Sequence, residues 1–344
     1  MAVLADLRKL FVSALFVIAL PTISSCSSIQ YDTYYDIEFA RLTSNGFDLL
    51  ISQEEVKREC EVGAHGCSHK TLSTALYRLE VAKDESWIPL NQAKDRWKKI
   101  IDTDHPKADG FLYTELYDDY LIDLRSANGI SYCKVSTTPP CSDSTSIAYG
   151  PSIAPFREAL INSSTGLLFL SGTIYSLSDM TPLTQLSERS DYTDFVTSAK
   201  ERFSKASYAA LDILPTGEHQ LIAAANFADE SRTVAIRFDA QTGQSQPIRL
   251  PNAFPEASIA VERIFSDDKD TVFGLNFFRF KEGSLDKLLD ENYLYSEAEN
   301  KLFKMDSVDF SALESLVWDS TERQIIHIDW NHQNEGIKII RHSY

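Results

Sequence analysis

The feature that most constrains this chain is a phrase that recurs along it: an apolar strand, a short polar turn, and a second apolar strand. The copies read IEFARLTSNGFDLLI, WKKIIDTDHPKADGFLYTEL, REALINSSTGLLFLSG, AALDILPTGEHQLIAAA, AVERIFSDDKDTVFGLN and ESLVWDSTERQIIHID. The apolar residue before each turn is Leu42, Ile101, Ile161, Leu214, Phe265 and Trp318, at intervals of 59, 60, 53, 51 and 53 residues. The mean of about 55 lies slightly above the ~40–50-residue periods of four-stranded blades. A second hairpin follows most copies: LYRLEVAKDESWIPL, YLIDLRSANGISYCKV, TIYSLSDMTPLTQL, VAIRFDAQTGQSQPIRL and YLYSEAENKLFKM. Each has turn residues between two strand-forming runs. LLFLSG and QLIAAA are apolar at nearly every position, as expected of strands covered on both faces.

Six units of four antiparallel strands, A to D, predict an all-β chain folded as a six-bladed β-propeller. A seven-bladed ring or another large all-β fold is the alternative, because hairpins alone do not fix closure. The turn in LPTGEHQLIAAA (214–225) resembles the S-P-D-G turn of WD40-like and TolB-type propeller repeats. FDAQTG (238–243) resembles the D-x-x-T-G turn of several propeller families. No copy carries the WD dipeptide or the aspartate box. The last unit has strands A, B and C and then reaches Tyr344. IQYDTYY (29–35) is therefore expected to complete the last blade from the other end, since an unpaired edge invites aggregation. Two interruptions have helical character, SDYTDFVTSAKERFSKASY (190–208) with Asp191 as N-cap, and a shorter turn in SLDKLLDENY (284–293).

The first thirty residues specify an address. Arg8 and Lys9 precede an apolar run, Leu10 to Leu20, interrupted only by Ser13 and ended by Pro21. About eleven residues rise only ~16 Å as a helix, short of a ~30 Å hydrocarbon core. This is the form of an export signal. Ile23-Ser24-Ser25-Cys26 then resembles the bacterial lipobox. Membership of the lipoprotein class implies cleavage before Cys26, leaving residues 1–25 as signal peptide and 26–344 as a single domain. It also implies a diacylglycerol (palmitate-type) thioether on Cys26. Two or more acyl chains, at ~0.8 kcal/mol per buried CH₂, suffice for a stable anchor. Ser27 after the cysteine implies the outer membrane, facing the periplasm. A plain secretory signal with an incidental cysteine is the other reading. If IQYDTYY closes the ring, only Ser27 and Ser28 separate lipid from fold, and the propeller lies close to the bilayer.

With Cys26 set aside, Cys60, Cys67, Cys133 and Cys141 remain. Export to an oxidising compartment favours pairing, in any of three connectivities. The local pairs Cys60–Cys67 and Cys133–Cys141 demand least of the fold. Each would contribute roughly 2–3 kcal/mol by the chain-entropy argument. CEVGAHGCSHK also holds His65 and His69, four potential zinc ligands in all, but in no finger-like spacing. SDDKD (266–270) and DTDHPKADG (102–110) lack calcium-loop spacing and read as turns. No metal or cofactor is expected.

A formal net charge of -17 excludes nucleic acid as a natural partner and repels an anionic lipid surface. No nucleophile-elbow, zincin, P-loop, dinucleotide-binding or C-x-x-C motif is present. One constellation stands out, HIDWNH. On a strand, His327, Asp329 and Asn331 share a face, with Ile328 and Trp330 on the other. Such a group could do acid–base work, bind a ligand, or be a satisfied polar patch. The expected function is a non-catalytic, lipid-anchored scaffold binding an envelope protein or polymer. A propeller glycan lyase or hydrolase working in the central channel, or a small-ligand or metal sensor, are the alternatives.

Overall fold

The computed structural model describes residues 28–60, 67–103, 114–124, 129–148, 159–187, 189–194, 209–227, 232–251, 254, 258–281, 284–287, 292–305, 307–310, 316–333 and 335–344. These residues form six antiparallel sheets arranged as the blades of a propeller. Blade 1 contains β1 (Ser28–Thr43), β2 (Gly46–Cys60) and β3 (Cys67–Ala82). An insertion follows, made of β4 (Trp87–Pro89) and α1 (Leu90–Arg96), before β5 (Lys98–Thr103) completes the blade. Blade 2 is β6 (Thr114–Tyr117), β7 (Tyr120–Asp123), β8 (Gly129–Lys134) and β9 (Ser144–Ala148). Blade 3 is β10 (Ala159–Asn162), β11 (Leu167–Leu170), β12 (Thr173–Ser176) and β13 (Pro182–Gln185). Blade 4 is β14 (Ala209–Gly217), β15 (Gln220–Phe227), β16 (Arg232–Asp239) and β17 (Gln244–Ile248). Blade 5 has β18 (Ser258–Ser266), β19 (Thr271–Lys281), β20 (Ser284–Lys287), β21 (Asn292–Ser296) and β22 (Lys301–Met305). Blade 6 is β23 (Leu316–Asp319), β24 (Gln324–Asn331) and β25 (Gly336–Ser343), with β4 as its fourth strand.

The core lies between blades, because successive side chains of a strand point to opposite faces. Leu221 and Ala223 pack with Phe169 of blade 3. Ile222 and Ala224, their neighbours in sequence, pack with Phe273 and Leu275 of blade 5. Leu50 and Leu76 meet Leu116 and Leu121 across the seam of blades 1 and 2. Ile122 and Ile130 meet Leu168 and Leu170 across the next. Val272 and Leu294 meet Leu316 and Ile325 between blades 5 and 6. Phe47, Leu49 and Ile51 meet Ile326, Ile328 and Trp330 between blades 1 and 6, which closes the ring. All four residues of β11 are buried, the cost in solubility that a strand covered on both faces imposes.

Three sequence expectations are corrected. IQYDTYY does not close the ring: β1 pairs with β2 without a break in chain from Ser28 opposite Cys60 to Thr43 opposite Gly46, with one bulge between Ile37 and Phe39. The closing strand is β4, from the insertion in blade 1, with Lys338 opposite Trp87, Ile337 opposite Ile88 and Gly336 opposite Pro89. Ile88 is 1% exposed and sits in the core shared by blades 1 and 6. Its flanks are tied by Leu90 N–H to the Glu335 carbonyl at 2.9 Å and Ile339 N–H to the Ser86 carbonyl at 3.0 Å. A Cβ on Gly336 would stand 2.7 Å from both the Ile88 carbonyl oxygen and the Trp87 indole, so this seam requires glycine.

Second, KKIIDT is strand D of blade 1, not strand A of blade 2, since it pairs with β3. Leu116 therefore takes the place assigned to Ile101, and the spacings become 74 and 45 residues. The near-equal 59 and 60 came from an insertion compensating for a misplaced strand. Third, residues 284–287 are not helical. They form β20, which pairs with Phe278–Lys281, where β19 runs past its partner β21. Residues 190–194 are helical, and Tyr192 is buried edge-on against Phe169 and Phe238. That start of the helix is thus part of the seam between blades 3 and 4. Its expected continuation to 208 lies outside the described residues.

Candidate functional site

Strands β1, β6, β10, β14, β18 and β23 lead their blades, and the turns that follow them gather at one end of the ring. Those turns hold two to four residues, and polar groups bind them together. Asn162 ends β10 at 5% exposure. Its Nδ2 donates to the Pro215 carbonyl of blade 4 at 2.8 Å and to the Ser266 carbonyl of blade 5 at 3.1 Å. Blades 3 and 5 are not neighbours, so this side chain stands near the ring axis and pinches the channel. Ser320 of blade 6 donates to Asp267 of blade 5. Arg237 of blade 4 reaches Glu297 of blade 5 at 2.7 Å. Arg41 of blade 1 holds Asp118 of blade 2 at 3.0 Å and lies over the Tyr117 ring. Asp48, 1% exposed, takes Arg78 at 2.9 and 2.8 Å and Arg41 at 3.3 Å.

The seam of blades 1 and 6 carries the pair Lys83–Asp319, at 2.8 Å. Burial works against the Asp319 charge. Lys83 and the N–H groups of Thr321 and Glu322 outweigh it and hold the carboxyl below the usual aspartate value of 3.8. A group whose folded pKa is depressed stabilises the fold above its unfolded pKa and loses that contribution as pH falls through the folded value. Asp319→Asn is therefore expected to be less stable than wild type by a constant amount above about pH 5, the gap closing as pH drops below 3.8. Denaturant titrations of both proteins at a series of pH values check this.

The HIDWNH residues lie on β24, the second strand of blade 6. Ile326, Ile328 and Trp330 face the core shared with blade 1. His327, Asp329 and Asn331 take the opposite face, as alternation dictates. His327 is half-buried and opposite Ile340, while Asp329 is exposed and opposite Lys338. Next to them His342 is kept below the usual histidine range, first by burial and then by the neighbouring His327. Asn331 Oδ1 accepts the Gln333 N–H, so part of its capacity serves the turn. Asn331 also lines a groove along β25, together with Ser86, Trp87, Lys338 and Arg341. Lys338 is exposed and Trp87 is 38% exposed, unusual for an indole in a closing strand. Sequence reading missed Trp87 and Lys338. By its hairpin pattern WIPL reads as strand D of blade 1, and nothing in the sequence links residue 87 to residue 338.

Both local disulfides form, Cys60–Cys67 at the β2–β3 turn and Cys133–Cys141 after β8. Cys60 and Cys67 are thus unavailable as zinc thiolates, and His69 is exposed on β3. His65 and Cys26 lie outside the described residues. Among the described residues, no cluster of three His, Cys, Asp or Glu could hold a metal ion. No helix among them is long and apolar enough to cross a membrane.

No protein-family model matches the sequence, and no curated protein matches it. Solved structures do. The β-propeller domain of the trilobed protease of Pyrococcus furiosus is 8% identical, over 90% of this chain and 93% of its own, at TM-score 0.36. The extracellular domain of a one-component system of B. thetaiotaomicron is 13% identical over 90% of this chain and 39% of its own, at 0.36. The oligogalacturonate lyase of Vibrio parahaemolyticus is 8% identical over 92% and 97%, at 0.35. At these values the likeness carries no argument about chemistry.

Proposed function

We propose that this chain is a lipid-anchored, periplasm-facing β-propeller that acts as a non-catalytic scaffold and binds an envelope protein or polymer. The observation that carries this reading is the reach of Asn162 across the ring to blades 4 and 5, which narrows one end of the channel. At that end the buried Asn162, Arg41 and Asp319 are engaged in joining blades. The exposed indole, Lys338 and Asn331 instead share an outer groove, where a scaffold would bind.

The test is capture from the native envelope with wild type, Lys338→Glu, and Lys269→Glu as a control on an exposed turn at the pinched end. A protein or glycan retained by wild type and Lys269→Glu but lost by Lys338→Glu supports the reading. Loss with Lys269→Glu alone, or turnover of an envelope glycan by the purified protein, overturns it. Palmitate labelling that disappears in Cys26→Ala checks the anchor, and an unlabelled wild type removes it.

A further inference from the structure

Blade 1 is unlike the others. Its first three strands hold 16, 15 and 16 residues, whereas those of blade 3 hold 4 each. β5 covers β3 only between Thr74 and Arg78. Beyond that point, residues 28–33, 55–60 and 67–73 continue as a three-stranded arm, roughly 20 Å long at ~3.3 Å per residue. The Cys60–Cys67 disulfide closes its tip. The arm is solvent-exposed on both faces near that tip, at Ile29, Gln30, Ser68, His69 and Lys70. Arg58 braces it, donating to the Tyr34 hydroxyl at 2.9 Å and lying 3.6 Å from Asp32.

The tip has an uncommon surface. Ile29 is 51% exposed and Tyr31 70%, two residues apart on one face of an edge strand. Tyr31 lies opposite Lys57, which lies opposite Lys70, and Arg58 lies opposite His69. Lys57, Arg58 and Lys70 are placed there beside Asp32 and Glu59, Lys57 pairing with Glu59 and Arg58 lying near Asp32, in a chain whose net charge is -17. Ser28, the first residue of β1, is at the tip because it pairs with Cys60. The apolar run and Cys26 therefore join the fold at the end of the arm, not at the ring.

We infer that the arm tip docks on a phospholipid surface, with Ile29 and Tyr31 in the headgroup region and Lys57, Arg58 and Lys70 against lipid phosphates. The inference rests on the lipid-anchor reading for orientation. Tyrosine suits this layer because its ring is apolar and its hydroxyl is wet. Each nearby cation adds attraction to an anionic leaflet. The arm also resolves an electrostatic conflict: it holds an acidic propeller roughly two Debye lengths from the bilayer, where repulsion is screened. The propeller then stands off the membrane instead of lying close to it.

The experiment uses the full chain recovered from membranes and reconstituted in vesicles of phosphatidylethanolamine and phosphatidylglycerol containing brominated lipid. Tyr31→Trp is compared with wild type, whose native tryptophans are Trp87, Trp97, Trp318 and Trp330. The expected result is loss of the added indole's emission with the native emission unchanged. A vesicle-bound protein whose added indole is not quenched, or whose native indoles are quenched as strongly, overturns the inference. So does an added indole buried before vesicles are present, in a dimer or a strand-paired complex. N-terminal mass spectrometry separates the two readings. Lipidated protein with an unquenched tip refutes docking alone, unlipidated protein bound through the tip refutes the anchor alone, and protein that binds no vesicles refutes docking.

Discussion

Ile88→Ala is expected to destabilise the propeller by about 2–5 kcal/mol, a melting point lowered by roughly 3–8 °C in a domain of this size. Ile88→Asp is expected to open the ring, since a carboxylate buried among Trp330, Ile337 and Ile339 has no partner there. The effect is large because β4 contributes only three register pairs to blade 6 and Ile88 is the one fully buried side chain of that strand. Hydrogen exchange gives the local readout: in Ile88→Ala, the Ile339 amide, which donates to Ser86, loses protection before the amides of blade 4. The contrast is Ile29→Asp. If residues 29–35 closed the ring, that change would be severe. With Ile29 half exposed on the arm, stability is expected to stay within about 0.5 kcal/mol of wild type. Thermal melts of the two variants side by side decide between the two closures.

Asp48→Ala is the second large effect, expected to cost about 3–5 kcal/mol. Asp48 is buried and accepts from two guanidiniums, one of them, Arg41, with a side chain only 9% exposed. Removing the carboxylate leaves Arg41 with Asp118, which is itself well exposed, and burial of an under-compensated cation is what makes such deletions severe. Arg41 and Arg78 also grip the Asp118 turn, so blades 1 and 2 should loosen together. A double-mutant cycle of Asp48→Ala with Arg78→Ala, read by denaturant unfolding, is expected to show coupling above about 1 kcal/mol. Additivity would mean that the cluster is not an energetic unit.

Blades 3 and 4, whose hairpins are regular, were legible strand by strand. REALINSSTGLLFLSG and TIYSLSDMTPLTQL became β10 to β13 in the expected order, because a tight turn leaves a strand no partner but its neighbour. Blade 1 and blade 2 were misread where KKIIDT, apolar in its middle, could have served equally as the last strand of one sheet or the first of the next. Alternation reports which face is buried and is silent on the pairing partner. The groove at Trp87, Asn331 and Lys338 was half visible. Asn331 was found through the HIDWNH alternation, whereas Trp87 reaches the site only through a closure that joins residues about 250 apart.

What this sequence determined by itself was local: the period-two alternation, the turn chemistry, the count of six repeats, and the nearness in sequence of each cysteine to its partner. These depend on contacts between residues a few positions apart, which short-range sterics and burial dictate. Tertiary structure alone decided which strand closes the ring and where the N-terminal segment enters the fold. Several segments could have satisfied the open edge of β25. The choice fell to the one whose isoleucine fills the space between blades 1 and 6, beside a glycine that lets it approach. That is a matter of shape across the ring, and no local pattern encodes it.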